Sequence, residues 1–381
     1  MTEMQVAPTS AARHVQLGLS NDDLLAMYRQ MLLARAVDER MWLMQRAGKI
    51  AFIISGQGHE GAQVATAWPM RRNQDWMAPY YRSIAATMTF GMSAEDIITA
   101  HLAKGDDVSS GGRQMPGHYG ARRYNVVSLS SPVGTQVLHA VGIAMGAWVR
   151  GDDVVALTQF GEGTANQGEV HEAMNFAGVH RLPVIFVCEN NGYAISVPLE
   201  RQVAGGSVAA RAAGYGMPGV VVDGADVLGC YAAAKEAHER ARHGEGPTLI
   251  EARVVRLTSH SSDDDQRRYR DPAEVEALKE RDPIPAFAGE LRELGILTDA
   301  DDERLRAEAK AEIAEASRRA EARPDPDVAL AHEHVYVEPI PGGGTPEADA
   351  GGPARAGGPS PGEPSADGQS PGGPSATAGG H

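Results

Sequence analysis

Of 381 residues only two are cysteine, Cys188 and Cys230. That excludes a disulfide scaffold and any zinc cage built from cysteine. No apolar run approaches the ~20 residues a membrane span needs. The N-terminal stretch lacks an apolar signal core, and its acidic Glu3 and Asp22 do not suit a transit peptide. Basic residues are the minority, 35 Lys and Arg against 50 Asp and Glu, for a formal charge of −15. Nucleic acid is excluded as a main partner, because phosphate contacts need clustered Lys and Arg. What remains is a chain expected in a reducing cytoplasm. Its hydrophobic content of 42% is ample for the core of one large α/β domain or two smaller ones.

The segment 154–196 organises the rest. It reads VVALTQF, then GEGTANQGEVHEAMNFAGVHR, then LPVIFVCENNGYAIS. Two apolar runs with the length of buried parallel strands flank a helix-length segment. In a strand–helix–strand unit both strands run the same way, so both run-ends, Gly161-Glu162-Gly163 and Asn190-Asn191, arrive at one edge of the sheet. Open α/β sheets bind ligands at that carboxyl edge. Glu162 offers a carboxylate, Asn191 an amide oxygen, and Tyr193 a backbone carbonyl. Mg²⁺ takes about six oxygens and commonly shares them with substrate phosphates and water. Gly161 and Gly163 let backbone come close, and the N-terminus of the following helix favours an anion. These residue types point to a metal diphosphate.

Around this unit the pattern alternates helices and strands. Ser20-Asn-Asp-Asp caps a helix whose apolar residues run from Leu24 to Leu43 and which ends at Gly48. Helices are expected over 60–70, 94–103, 136–148, 226–242 and 298–322. The last is charged, with Leu305 and Ile313 on its buried stripe. Strands are expected near 75–80, 126–129, 220–223 and 248–257. Residues 104–125 and 258–270 form two long polar loops, and loops of that length are commonly functional. Gly142, Ala144, Gly146 and Ala147 give the 136–148 helix a small-residue face suited to close packing against another subunit. Residues 1–19 show no period and read as a flexible arm. Residues 341–381 are about half Gly plus Pro, the composition of a disordered tail.

Four further stretches complete the pattern: Tyr80-Tyr-Arg82, Gly112-Arg-Gln-Met-Pro-Gly-His-Tyr-Gly120, Ser130-Ser-Pro-Val-Gly-Thr-Gln136 and Ser259-His-Ser-Ser-Asp263. With Gly161-Glu-Gly163 and Asn190-Asn191, the chain from about Leu19 to Ile340 resembles the alpha subunits of the decarboxylating component of branched-chain 2-oxo acid dehydrogenases. Glu162 stands where the family's thiamin-diphosphate motif, Gly-Asp-Gly, carries Asp. Pyruvate dehydrogenase alpha subunits share the cofactor motif, but the run from Arg113 to His118 looks more like the branched-chain type.

The resemblance implies a thiamin-diphosphate-binding α/β fold. Its mostly parallel sheet carries helices on both faces, with helical N- and C-terminal extensions, over residues 20–340. It implies Mg²⁺ on Glu162, Asn191 and the Tyr193 carbonyl. Tyr80, Tyr81 and Arg82 would contact the cofactor, Arg82 as a charge-assisted partner of the diphosphate. Ser131, Pro132 and Val133 would line its aminopyrimidine end, and Gly163 and Thr164 would donate near the phosphates. Gly161, Ala165, Asn166, Gln167, Ala194 and Ile195 complete the cofactor contacts. His260 and His118 would be catalytic, with Phe52, Tyr81, Met115, Pro116, Gly117, His118 and Ser131 shaping the substrate pocket. In some relatives Ser130, Pro132, Thr135 and Gln136 bind K⁺, and the oxygens are kept here. Mitochondrial relatives are phosphorylated at the position of Ser261. In this family a beta subunit supplies the glutamate that engages the pyrimidine ring. The implied assembly is therefore two alpha and two beta chains, passing an acyl group to the lipoyl-lysine of an acyltransferase component.

A dinucleotide site needs Gly-x-Gly-x-x-Gly and an acid about 20 residues on. Asn166 stands where the third glycine would be, although Glu189 closes the second strand near the ribose-acid position. His171 and His180 are nine residues apart, unlike the two histidines of HExxH, which share one helical face. Asp263 to Asp265 read as a solvated acidic loop, with Arg267, Arg268 and Arg270 bracing it.

Overall fold

The computed structural model describes residues 10–332. The predicted tail, 341–381, and the first nine residues of the predicted arm lie outside them. The remainder of that arm is not loose. Helix α1 (Ser10–Gln16) is tied down by an Arg13–Asp226 ion pair of 2.6 Å, and Leu19 is buried behind it.

Helix α2 (Asn21–Arg46) starts at the expected capping box. Ser20 Oγ accepts from the Asp23 N–H at 3.1 Å, and the Asp23 carboxylate accepts from the Ser20 N–H at 2.9 Å. Gly48, at φ 71°, turns the chain out of it. There follow α3 (Glu60–Ala67), β1 (Trp76–Ala78), α4 (Ile84–Phe90) and α5 (Ala94–His101). After the long polar loop come α6 (Thr135–Arg150), β2 (Ala156–Gly161), α7 (Gly168–His180) and β3 (Val184–Asn190). A small hairpin, β4 (Tyr193–Ala194) with β5 (Val197–Pro198), precedes β6 (Gly219–Asp223), α8 (Val227–Arg242) and β7 (Thr248–Arg253). The chain then forms α9 (Pro272–Leu278), α10 (Pro283–Glu293) and α11 (Asp299–Glu321).

The sheet has five strands in the order β1-β2-β3-β7-β6, every neighbouring pair parallel. The register sets Gly161 beside Glu189 and Asn190 beside Arg253, so β2, β3 and β7 end level at one edge. The expected strand at 126–129 is not one. Only Val126 makes bridges, to Met77 and Ala121, before Ser130-Ser-Pro132 takes the chain off the sheet.

Alternation along the strands divides the core. Leu157, Ile185, Val187 and Ile250 face one cluster under α3 and α8, with α2, α10 and α11 packed outside. Ala156, Phe160, Val184, Phe186 and Cys188 face the other, under α6 and α7. Helix α11 buries Leu305, Ala309, Ile313, Ala316 and Ala320, the stripe expected for it.

Candidate active site at the carboxyl edge

The parallel register decides where the polar strand tips meet. Glu162 follows β2 directly and Asn191 follows β3, and the Asn191 N–H donates to Glu162 Oε2 at 3.2 Å. Gly192, at φ 85°, turns the chain back so that the Tyr193 N–H donates to Asn191 Oδ1 at 3.1 Å. Glu162 is 1% exposed, and its second oxygen, Oε1, is buried with no hydrogen-bond partner. Burial pushes this carboxyl above its ordinary value, against the pull of its backbone N–H bonds and of Arg256 and Arg82. An unpartnered buried oxygen carries a desolvation cost. A carboxylate oxygen, an amide oxygen and a backbone carbonyl on one rim make the hard-oxygen donor set that suits Mg²⁺.

A cavity of about 420 Å³ opens over this rim. Of the residues expected to contact a cofactor, it is lined by Tyr80, Tyr81, Arg82, Ser131, Val133, Gly161, Glu162, Gly163, Thr164, Gln167, Asn191, Tyr193, Ala194, Ile195 and His260. Glycine is required at 163, where a Cβ would stand 2.6 Å from the Ala194 side chain and push the hairpin away. Pro132, Ala165 and Asn166 do not line it. The Ala165 carbonyl and Asn166 Oδ1 each accept from Arg211 at 2.7 Å, while Asn166 Nδ2 donates to the Glu162 carbonyl at 3.3 Å. They shape the turn that carries Gly163.

Charge on the opposite wall is positive. Arg82 is 2% exposed, its guanidinium held by the Ser55 carbonyl and lying over the Tyr81 ring at 5.6 Å. Arg256, a residue the sequence reading did not single out, is 1% exposed. Its Nη2 donates to the Ile195 carbonyl at 3.0 Å and to Tyr269 Oη at 2.9 Å, while Nε and Nη1 are buried without partners. Burial first, and then Arg82, push its guanidinium below the usual value. Arg82 lines the cavity as the charged partner for an anion, and Arg256, which does not line it, adds positive charge nearby.

His260 sits beside them, 5.9 Å from the Tyr81 ring centroid, with its backbone N–H tied to Asp264 Oδ2 at 2.8 Å. Burial, Arg82 and Arg256 pull its pKa down to about 4, so the ring is neutral at pH 7. Its Nδ1 lies 3.4 Å from Arg82 Nη2. A guanidinium only donates, so Nδ1 takes the lone pair and the ring proton sits on Nε2. His118 Nε2 contacts Ser131 Oγ, which brings the second expected histidine against the cavity wall. Phe52, Met115, Pro116 and Gly117 do not line the cavity, and Met115 is 55% exposed. Two of the three loop arginines make bracing contacts. Arg270 is buried and donates to the Arg256 carbonyl at 3.0 Å, and Arg267 pairs with Asp265 at 2.8 Å.

Other expectations resolve by geometry. Glu189 is buried and does not line the cavity, and one of its oxygens takes His59, Gln63 and Tyr80. His171 contacts Tyr215 and the His180 ring lies tilted 4.4 Å from that of Phe176, and among the described residues no group of three or more His, Cys, Asp and Glu is placed to hold a metal ion.

A family model described as the dehydrogenase E1 component matches residues 28–329. The chain is 51% identical over 329 residues to the 2-oxoisovalerate dehydrogenase subunit alpha of Bacillus subtilis, covering 86% of this chain and 100% of that relative. It is 38% identical to the 3-methyl-2-oxobutanoate dehydrogenase subunit alpha of Mycobacterium tuberculosis, over 87% of this chain and 88% of the relative. It is 36% identical to the human mitochondrial 2-oxoisovalerate dehydrogenase subunit alpha, over 84% and 72%.

Proposed function

The chain belongs to the dehydrogenase E1 component family, and from that membership we propose that it is the alpha subunit of a thiamin-diphosphate-dependent dehydrogenase acting on branched-chain 2-oxo acids. The observation that carries the site assignment is Glu162, a buried carboxylate with one bare oxygen, joined to Asn191 at the tips of adjacent strands. Glu162, Asn191 Oδ1 and the Tyr193 carbonyl would hold Mg²⁺, and Arg82 with the backbone at Gly163 and Thr164 would hold the diphosphate. Bound thiamin diphosphate supplies the nucleophilic carbon and the electron sink for loss of CO₂ from a 2-oxo acid. The chain's own contribution is position and charge. Arg82 and Arg256 balance anionic groups at the edge. The neutral His260 offers an Nε2 proton to an oxygen of the substrate, and His118 orients Ser131 at the far wall.

The names carried by the relatives favour a branched-chain over a pyruvate substrate. Side-chain identity alone decides less, since one methylene in such a pocket is worth ~1–3 kcal/mol.

A beta subunit completes the active assembly, as two alpha and two beta chains handing the acyl group to a lipoyl acyltransferase. Glu162 is the one carboxylate among the described residues lining the cavity. With Glu162 on the metal, the carboxylate for the pyrimidine ring comes from the partner. The apolar side chains of Leu138, Trp148 and Val149 on α6 and of Phe176 and Val179 on α7 are exposed and give such a partner a surface. Calorimetry on the chain co-expressed with its beta partner tests the reading. Mg²⁺-thiamin diphosphate binds and 3-methyl-2-oxobutanoate is turned over in preference to pyruvate. Tight NAD⁺ binding without thiamin diphosphate binding overturns it.

A further inference from the structure

Along β3, Val184, Phe186 and Cys188 face the α6–α7 side, while Ile185 and Val187 face the α3–α8 side. Glu189 continues the second set and is fully buried. Three donors converge on its Oε2: His59 Nδ1 at 2.6 Å, Tyr80 Oη at 2.8 Å and Gln63 Nε2 at 2.9 Å. Gln63 also donates to the Arg82 carbonyl at 2.9 Å and accepts from the Ala85 N–H at 3.0 Å, so its amide is fully used. Yet Glu189 Oε1 and His59 Nε2 are buried with no partner. Burial pushes the His59 pKa down against the pull of Glu189, and its Nδ1 donates to the carboxylate.

Packing does not account for this arrangement. Well-packed hydrocarbon commonly replaces a buried charge at no loss of stability. The carboxylate does tie three elements together: the start of α3, the tip of β3, and the turn after β1 that carries Tyr80, Tyr81 and Arg82.

We propose that Glu189 is a positioning residue for the cofactor cavity, fixing Tyr80 directly and the Arg82 backbone through Gln63, so that Tyr81 and Arg82 are set before the diphosphate arrives. This rests on the thiamin-diphosphate reading of the cavity.

The test uses the full-length chain co-expressed with its beta partner. Mg²⁺-thiamin diphosphate binding is measured by calorimetry and Tm is measured on the same samples. Glu189→Gln weakens cofactor binding by about tenfold or more, as loss of a supporting contact behind a ligand does, with no fall in Tm. Tyr80→Phe weakens binding in the unsubstituted background and adds nothing in the Glu189→Gln background, because its hydroxyl acts through the carboxylate. Binding by Glu189→Gln as tight as, or tighter than, that of the unsubstituted complex overturns the proposal alone. So do additive effects of the two substitutions, or losses that track a fall in Tm in both variants. An unsubstituted complex that binds no thiamin diphosphate overturns the cofactor assignment, and this proposal with it.

Discussion

The two faces of the sheet are finished differently. On one, α3 and α8 cover the strands, α2 and α10 pack on α3, and α11 packs outside α2. On the other, α6 and α7 form a single layer that leaves Trp148, Val149, Phe176 and Val179 in the open. The first face is an interior. The second is half of one. The site lies at the seam, where β2 and β3 end.

Four experiments press on this contrast. The largest effect belongs to the seam. Glu162→Ala abolishes Mg²⁺-dependent cofactor retention, measured by calorimetry, while far-UV circular dichroism and Tm stay put, because a rim ligand and not a core contact is lost. Retention at low Mg²⁺ counts against the assignment. Next comes the closed face. Phe287 on α10 is 1% exposed and meets Tyr28 edge-on at 6.3 Å, so Phe287→Ala costs about 3–5 kcal/mol in denaturant unfolding.

The third effect is a pH dependence. The folded-state pKa of His260, about 4, lies below its ordinary 6.5, so between those values the unfolded chain binds more protons than the folded one. Stability therefore falls as pH drops from 6.5 toward 4, by up to about 2–3 kcal/mol from this group. His260→Gln removes that part of the slope, and a ring titrating near 6.5 by NMR contradicts it. The smallest effect on folding is on the open face. Phe176→Ser changes the stability of the isolated chain by no more than about 0.5 kcal/mol. The same substitution loosens the complex with the beta subunit on size exclusion. A cost as large as that of Phe287→Ala makes the two faces alike and removes the contrast.

The central unit was legible because two of its signals are local: apolar runs of strand length and the glycine–carboxylate and Asn-Asn punctuation at their ends. The Ser20–Asp23 cap and the Leu305–Ile313 stripe were legible for the same reason. Helix α10 was not among the expected elements, because Pro283 and Pro285 break up its signal. The first turn of a helix tolerates proline, since its N–H groups lack intrahelical partners, and Asp282 caps it by accepting from the Ile284 N–H at 3.0 Å. Helix α4 has all seven residues buried and so shows no polar period. Arg256 was hidden by a boundary. Reading 248–257 as one strand put it inside an element, whereas β7 stops at Arg253 and leaves Arg256 at the edge among the site's charges. Phe52 and Met115 were assigned by position in a related pattern, and position alone does not say which way a loop side chain turns.

Ile195 at the tip of the small hairpin has φ 55° and is 54% exposed, with its carbonyl accepting from Arg256 at 3.0 Å. A β-branched residue held there costs on the order of 1–3 kcal/mol. A library selected for heat resistance alone therefore enriches glycine or asparagine at 195. A library selected for turnover keeps isoleucine, so the two screens pull this one codon in opposite directions.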